Sequence, residues 1–460
     1  MKVIADPGKA LARGLGAIRE EFQVPPGFPP EVIAAAETAA RRVPDQHADR
    51  TDRPFVTLDP ASSTDLDQAF AIEPAGADLL LHYAIADVGW FVADGDPLDR
   101  EAWRRGETLY LPDGKAGLYP PQLSEGAASL LPDGPRPAVV FTVRIDPAGL
   151  ATLDGAERAI IRSRAKLAYD NVTPDQLPPD FVELARRAQA AEAARGAVRV
   201  DPPEQEVVLL PGDGFDLAFR PRLKSEADNA ALSLATNLAV AAALHAHRTG
   251  LFRVMAEPDE RAVAKLRLTA GALGIGWPPE MTLEQLERRL DPTRPAEARF
   301  MLAIRRAGPG AAYMPWRDGT LPWHAAVAAP YAHATAPLRR LADRYVVRAA
   351  LEIANGHPVP LAVGEAFEKL PAVMARADTL AGRIERAVVD LAEAVLLSER
   401  IGQTFHAVAT EADGKGAKVQ LCDMAVVARV TGSGIEPGAA LQLRLTAVDV
   451  VRRTVAFERV

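Results

Sequence analysis

The texture of the sequence changes twice, and the order of the three textures limits the folds open to the chain. Residues 52–165 are rich in β-branched and alternating apolar runs, and FVTLD, DLLLHYAIADVGWFV and RPAVVFTVRID read as strands. From Thr173 to Gly402 the chain turns helical and Ala-rich, as in ADNAALSLATNLAVAAALHAHR and in DRYVVRAALEIANG, which ends on a glycine C-cap signal. Over residues 401–460 strand texture returns as five short runs: QTFHAVATEA, AKVQLCD, AVVARVTG, ALQLRLTAVD and TVAFERV. Five such runs with Gly-rich turns between several of them suit an OB-type barrel. Strands followed by helices predict an α+β domain rather than alternating βαβ units. Ahead of these, PPGFPP separates two expected helices, about Pro7 to Phe22 and about Pro29 to Val43, and PDQHADRTDRP reads as an exposed linker. The expected division is a helical region and linker over 1–51, an α+β domain over 52–400 and a barrel over 401–460.

Composition narrows the classes. An apolar fraction of 48% and a charged fraction of 25% over 460 residues supply a sizeable core and argue against disorder. A net charge of −8 is unlike a protein that coats nucleic acid non-specifically, but it leaves room for a channel with local positive charge and metal ions. The start MKVIADPGKALARG has no apolar run behind a basic segment, so no signal peptide is expected. The most apolar stretch, Ala230 to His245, is short and carries Ser, Thr and Asn, which predicts a buried helix rather than a membrane span. A single cysteine, Cys422, cannot form an internal disulfide; a reducing cytoplasm fits, with the thiol as a small buried apolar group.

The most informative segment is TLDPASSTDLDQAF, residues 57–70. Asp59 ends a predicted strand, and Asp65 and Asp67, two apart, point to one side of an extended backbone. Carboxylates packed together repel unless a cation joins them, and hard oxygen ligands suit Mg²⁺ or Mn²⁺. The plainer reading is a loop whose aspartates only cap and turn. An EF-hand is excluded, because positions six and twelve counted from Asp59 are Thr64 and Phe70 rather than Gly and Glu.

This segment resembles the signature of the ribonuclease II/R (RNB) family, in which a Thr-Ile-Asp strand leads through a Ser-rich turn to Asp-x-Asp-Asp-Ala. Asp59, Asp65 and Asp67 match the first three acidic positions, and Gln68 stands at the fourth, where an amide oxygen can ligate a metal but brings no charge. HYAIADVGWFVADGDPLDREAWRRGETLYLPDG and YPPQLSEGAASLLPD resemble the next blocks, in which Tyr110 matches a tyrosine that packs against RNA. Taken alone, Tyr110 reads as a core aromatic.

HAAVAAPYAHATAPLRRLADRYV resembles the block that usually reads Thr-Ser-Pro-Ile-Arg-Arg-Tyr, with Ala336 for Ser and Leu341 for the aromatic. Thr335 is expected as an N-cap, which puts Arg339 and Arg340 at a helix N-terminus. Arg339 matches the arginine that steadies the phosphate. A buried stripe of Leu338, Leu341, Ala342 and Tyr345 leaves Arg340, Arg344 and Arg348 on an outer face, with Arg340 as part of a positive RNA-binding rim. Glu385, in TLAGRIERAVVDLAEAVL, matches an acidic residue lining the site in relatives, although by itself it reads as an exposed helix Glu.

The resemblance runs in order over roughly residues 25–460. Two features depart from it. The first fifty residues cannot hold the cold-shock domains with which relatives usually begin. Ala230 and Ala231 also stand where a Glu pair is usual, with Glu226 nearby. His324 and His333 are read as structural.

The resemblance implies an α+β RNB domain with its site at the bottom of a channel, and a C-terminal OB barrel gripping single-stranded RNA. The implied reaction is Mg²⁺-dependent 3′→5′ hydrolysis of RNA to nucleoside 5′-monophosphates by a cytoplasmic enzyme, expected as a monomer. The alternative, prompted by Gln68 and the missing Glu pair, is a catalytically degenerate RNB-fold regulator that binds RNA without cutting it.

Overall fold

The structure is a computed structural model that describes residues 4–5, 9–197, 204–210, 214–220, 222–291, 294–308, 310–413 and 415–460. Its centre is a seven-stranded mixed sheet. The order is Ser163–Ala168, Phe55–Asp59, Gln68–Ala75, Asp78–Ala86, Arg136–Ile145, Ala151–Ile161 and Ala48–Asp49. The two outermost pairings are parallel and the rest antiparallel. The first four residues of FVTLD are buried, as the unbroken apolar run requires of a strand covered on both faces. Its last residue, Asp59, emerges at the edge of that burial.

The helix Lys224–Ala246 lies across this sheet. It is the one helix among the described residues that is long and apolar enough to cross a membrane, and most of its apolar window is buried in the core, as expected of the Ala230–His245 stretch. The helix Leu341–Ala354 packs on it and buries Leu341, Ala342 and Tyr345. The 37-residue helix Leu361–Leu397 runs from this core into a second one. There its later residues, including Ile384 and Leu391, meet the first helix, Ala10–Glu21, and a closed five-stranded barrel. The barrel strands are Thr404–Asp413, Gly416–Leu421, Val427–Thr431, Ala440–Asp449 and Thr454–Arg459. The alternating burial of Ala440–Asp449 is the period-two pattern of a barrel wall.

The predicted α+β class and the barrel both hold. The N-terminal helices are Ala10–Glu21 and Pro30–Ala40, and the Pro7 end of the first prediction lies outside the described residues.

Several expectations need correction. The 44–54 linker contributes the edge strand Ala48–Asp49, and the side chain of His47 is fully buried against Asp87 at 3.1 Å. The run DLLLHYAIADVGWFV is a strand only to Ala86. Asp87 then caps a short helix, Val88–Phe91, accepting from the Trp90 N–H. The helical stretch 173–402 also contains the strands Glu204–Leu210 and Gly214–Arg220, which pair with each other, and Leu251–Met255 and Ala311–Pro315, whose pairing spans a distance no local pattern shows. Cys422 is exposed rather than buried.

Candidate active site

The acidic segment leaves the sheet at Asp59 and re-enters it at Gln68, so one loop delivers all four residues to the same end of two neighbouring strands. Asp67 is buried and takes its partners from the far side of the sequence. The Leu338 N–H donates to its Oδ1 at 2.6 Å, and Arg339 Nε donates to its Oδ2 at 3.3 Å. Burial pushes the Asp67 carboxyl up to about 7, against the pull of Arg339 and the Leu338 amide. Asp59 is pushed up to about 6, first by burial, with Arg339 opposing and Asp65 adding to the rise. Its Oδ2 is buried and has no hydrogen-bond partner.

Asp65 is held on both oxygens. Tyr110 donates its hydroxyl to Oδ2 at 3.2 Å, and Lys115 Nζ lies 2.8 Å from Oδ1. Tyr110 is 56% exposed, so it is not a core aromatic. Burial of its hydroxyl, and then the neighbouring Asp65, raise its pKa well above the ordinary value.

Gln68 is buried, and its Oε1 accepts the hydroxyl of fully buried Tyr83 at 2.7 Å. It lines a cavity of about 700 Å³ together with Arg339, Glu385, Glu226, Ala230 and Ser233. Glu385 therefore borders the cavity, although it is exposed to solvent. Ala230 also lies on that wall, while Glu226 accepts from the Leu223 N–H at the start of its own helix and pairs with Arg220 at 2.6 Å.

The arginine segment is built differently from its sequence reading. The helix begins at Leu341, with Arg340 as the N-cap residue, so Thr335 caps nothing. Residues 335–340 instead form an irregular passage clipped to residues 106–108. Thr108 N–H donates to Arg339 O at 3.0 Å and Leu341 N–H to Gly106 O at 2.9 Å. Gly106 has φ 77°, and a side chain there would also meet Ala377 Cβ at 2.8 Å, so the clip needs glycine.

Arg340 is not part of an outer rim. It is part-buried and holds fully buried Asp343 through two bonds, at 3.0 and 2.9 Å. Arg344 is likewise inside the fold, bonded to Asp99 and to the Tyr345 hydroxyl. The structure thus gathers Asp59, Asp65, Asp67, Gln68, Tyr110, Arg339 and Glu385 around one region and directs Arg340 away from it.

Sequence reasoning missed Lys115, Tyr83 and the Leu338 amide. For Lys115 a signal existed. Pro112-Asp113-Gly114 is turn chemistry, and a hairpin there brings Lys115 opposite Tyr110. The other two depend on contacts across the sheet or the whole chain.

A hard divalent cation fits these residues. Two desolvated carboxylates, Asp59 and Asp67, lie within electrostatic reach of Asp65, and the buried, unpartnered Asp59 Oδ2 offers a free ligand atom. Among the described residues no three acidic, histidine or cysteine side chains already converge as a ready-made cage.

Comparison with known proteins agrees with this layout. The RNB domain model matches residues 47–354, and that of the RNase II-type exonuclease C-terminal S1 domain matches residues 403–460. Ribonuclease R of Aquifex aeolicus is 26% identical over 511 residues, covering 100% of this chain and 72% of the relative. Ribonuclease R of Escherichia coli is 26% identical, covering 95% of this chain and 58% of the relative. The chain thus spans about half to three quarters of the length of such relatives.

Among solved structures, Mycoplasma genitalium RNase R in complex with ribose-methylated single-stranded RNA superposes with a TM-score of 0.85 at 20% identity, covering 98% of this chain and 78% of that one. Yeast Ssd1, described as a pseudonuclease, superposes at 0.68 and 18% identity, covering 89% and 52%. The fold is therefore shared by proteins with and without nuclease action. With 47–354 matched as the RNB domain and 403–460 as the RNase II-type C-terminal S1 domain, the chain belongs to the RNB family.

Proposed function

We propose that the chain is a divalent-metal-dependent hydrolytic 3′→5′ exoribonuclease that shortens single-stranded RNA and releases nucleoside 5′-monophosphates. The observation that carries this reading is the meeting of Asp67 with Leu338 and with Arg339, which lines the cavity bordered by Gln68 and Glu385, in a chain of the RNB family. RNA in the Mycoplasma genitalium complexes supports RNA as the substrate class.

Each residue has a task in this reading. Arg339, with an exposed guanidinium beside a buried carboxylate, binds a phosphate oxygen and stabilises charge that grows there during hydrolysis. The Leu338 amide and Arg339 fix Asp67, while Tyr110 offers an exposed ring against which the terminal nucleotide stacks. Glu385 lines the cavity wall and limits how an anionic strand can lie. Asp59, with Asp65 and Asp67, would hold a divalent ion such as Mg²⁺, which would supply positive charge near the scissile phosphate and lower the pKa of bound water. The barrel tracks the backbone and stacks bases farther along the strand. The reading places the enzyme in the cytoplasm as a monomer.

Single-stranded RNA labelled at either end, incubated with the full chain and Mg²⁺, tests it. The 5′-labelled strand should shorten progressively, the 3′ label should appear at once as mononucleotide, EDTA should stop both, and DNA should resist for want of a 2′-OH. Internal fragments, or loss from the 5′ end, would overturn the reading. Tight binding with no shortening would identify an RNA-binding regulator instead.

A further inference from the structure

The short hairpin Leu109–Leu111 and Gly114–Ala116 places Tyr110 directly opposite Lys115. Both side chains reach one carboxylate from two sides: the tyrosine hydroxyl bonds Asp65 Oδ2, and the lysine ammonium sits 2.8 Å from Oδ1. The same ammonium is 3.1 Å from Glu125. Lys115 is thus an internal cation between two acids at the edge of the cluster. Only 24% of its side chain is exposed.

An account of the acceptor oxygens shows what this leaves for metal ions. Asp65 has a donor on each oxygen, Asp67 has one on each oxygen, and the Gln68 carboxamide oxygen is taken by Tyr83. Of these four side chains only Asp59 has a buried oxygen without a donor, Oδ2, and Asn229 Oδ1 on the same cavity wall is another such atom among the described residues. A pair of divalent ions a few ångströms apart needs carboxylates that bridge or divide between them. Here Gln68 supplies no charge, and an ion on the Asp65 side would face the Lys115 ammonium at close range, where like charges repel.

We propose that Lys115 is a tethered cation standing in for a second metal ion: the site takes one divalent ion, seated on Asp59, while the ammonium balances Asp65. Lys115 acts as a positioning residue, through Asp65, and the proposal rests on the reading of the acidic cluster as a metal site.

The test counts ions on the full chain without RNA. Mn²⁺ is titrated and the free ion read by its electron paramagnetic resonance signal, since Mn²⁺ suits the same oxygen ligands. The wild type should hold one equivalent, and Asp59→Asn should lose it. Lys115→Met, which keeps most of the length of the side chain and removes its charge, should gain a second equivalent. Lys115→Arg should stay at one. Lys115→Gln replaces the methionine variant if thermal melting shows that the latter is misfolded. Two equivalents or none in the wild type would overturn the proposal. So would an unchanged count and affinity in the uncharged variants, or an ion retained by Asp59→Asn. RNA shortening is read separately. One bound ion without shortening would sink the nuclease reading alone, and shortening with two ions would sink the tethered-cation proposal alone.

Discussion

Asp67 and Leu338 are 271 residues apart, and the backbone N–H of Leu338 donates to Asp67 Oδ1 at 2.6 Å. The carboxylate is thereby oriented by main chain, and its other oxygen is left to Arg339. Asp67→Asn keeps the acceptor for Leu338 and removes the charge. Cleavage of a bound RNA in single turnover should fall by about a hundredfold or more, as when a major electrostatic contribution is lost. Filter binding should show RNA affinity within a few-fold of wild type. A variant that cleaves at near wild-type rate would remove Asp67 from the chemistry.

Gln68 is tied to Tyr83, so its substitution has two separable effects. Gln68→Asp adds a carboxylate to the site, which should lower the Mg²⁺ concentration for half-maximal cleavage. Its shorter side chain also gives up the bond from the buried Tyr83 hydroxyl, which keeps Ser233 as its other neighbour, at a cost of about 1 kcal/mol. A metal titration and a urea melt on the same variant separate the two. A higher Mg²⁺ requirement would show that the neutral amide is what this site needs.

Arg340 and Arg339 are neighbours with opposite expectations. Arg340→Ala leaves fully buried Asp343 with only the Ala336 N–H, and loss of one partner of a buried pair costs about 3–5 kcal/mol. The melting temperature should drop clearly, while RNA affinity at a permissive temperature and its salt dependence stay unchanged. Arg339→Ala, whose guanidinium is half exposed and whose partner Asp67 keeps the Leu338 N–H, should lower the melt less than Arg340→Ala and should flatten the salt dependence by about one phosphate contact. If the two variants exchange phenotypes, the placement of the arginine segment is wrong.

Glu393 gives the fold a pH signature. Its Oε1 accepts from Gln205 and from the Val427 N–H, both at 2.8 Å, which joins the long helix to the barrel. Burial pushes its carboxyl from 4.5 up to about 7. The folded chain therefore holds this proton more tightly than the unfolded chain does. The stabilisation is whole below pH 4.5 and is lost as pH rises through 7. Glu393→Gln keeps the acceptor without the charge. At pH 8 it should be more stable than wild type by on the order of 1–3 kcal/mol, with the gap closing towards pH 5. Urea denaturation at the two pH values checks this, and a variant less stable than wild type at pH 8 would contradict it.

What could be read in the sequence follows the range of the interactions. The barrel strands are local alternations, and all five were legible. The acidic loop was legible through its spacing and its family likeness. The arginines were not. A periodic pattern assigns faces to a helix, but Arg340 precedes its helix, and Arg344 turns inward to Asp99, which lies 245 residues earlier. Lys115 could have been placed from its turn. Tyr83 could not, because only the antiparallel register of Gln68–Ala75 with Asp78–Ala86, and the reach of a tyrosine, bring it to Gln68.

The second core has a consequence for how the barrel can be studied. Leu109, Leu111 and Ala116 of the Tyr110 hairpin share that core with Leu11 and Leu15 of the first helix, Ile384 and Leu391 of the long helix, and the inner wall of the barrel. The hairpin that grips Asp65 thus rests on the long helix, which in turn packs against the barrel. Residue 401 marks a change of texture along the chain and not a seam along which it comes apart. Cutting there would loosen the tyrosine, the lysine and the aspartate between them, so a lost grip on RNA and a lost active site would arrive together. Single changes on the outer rim of the barrel, where Arg429 and Arg444 project, can separate them.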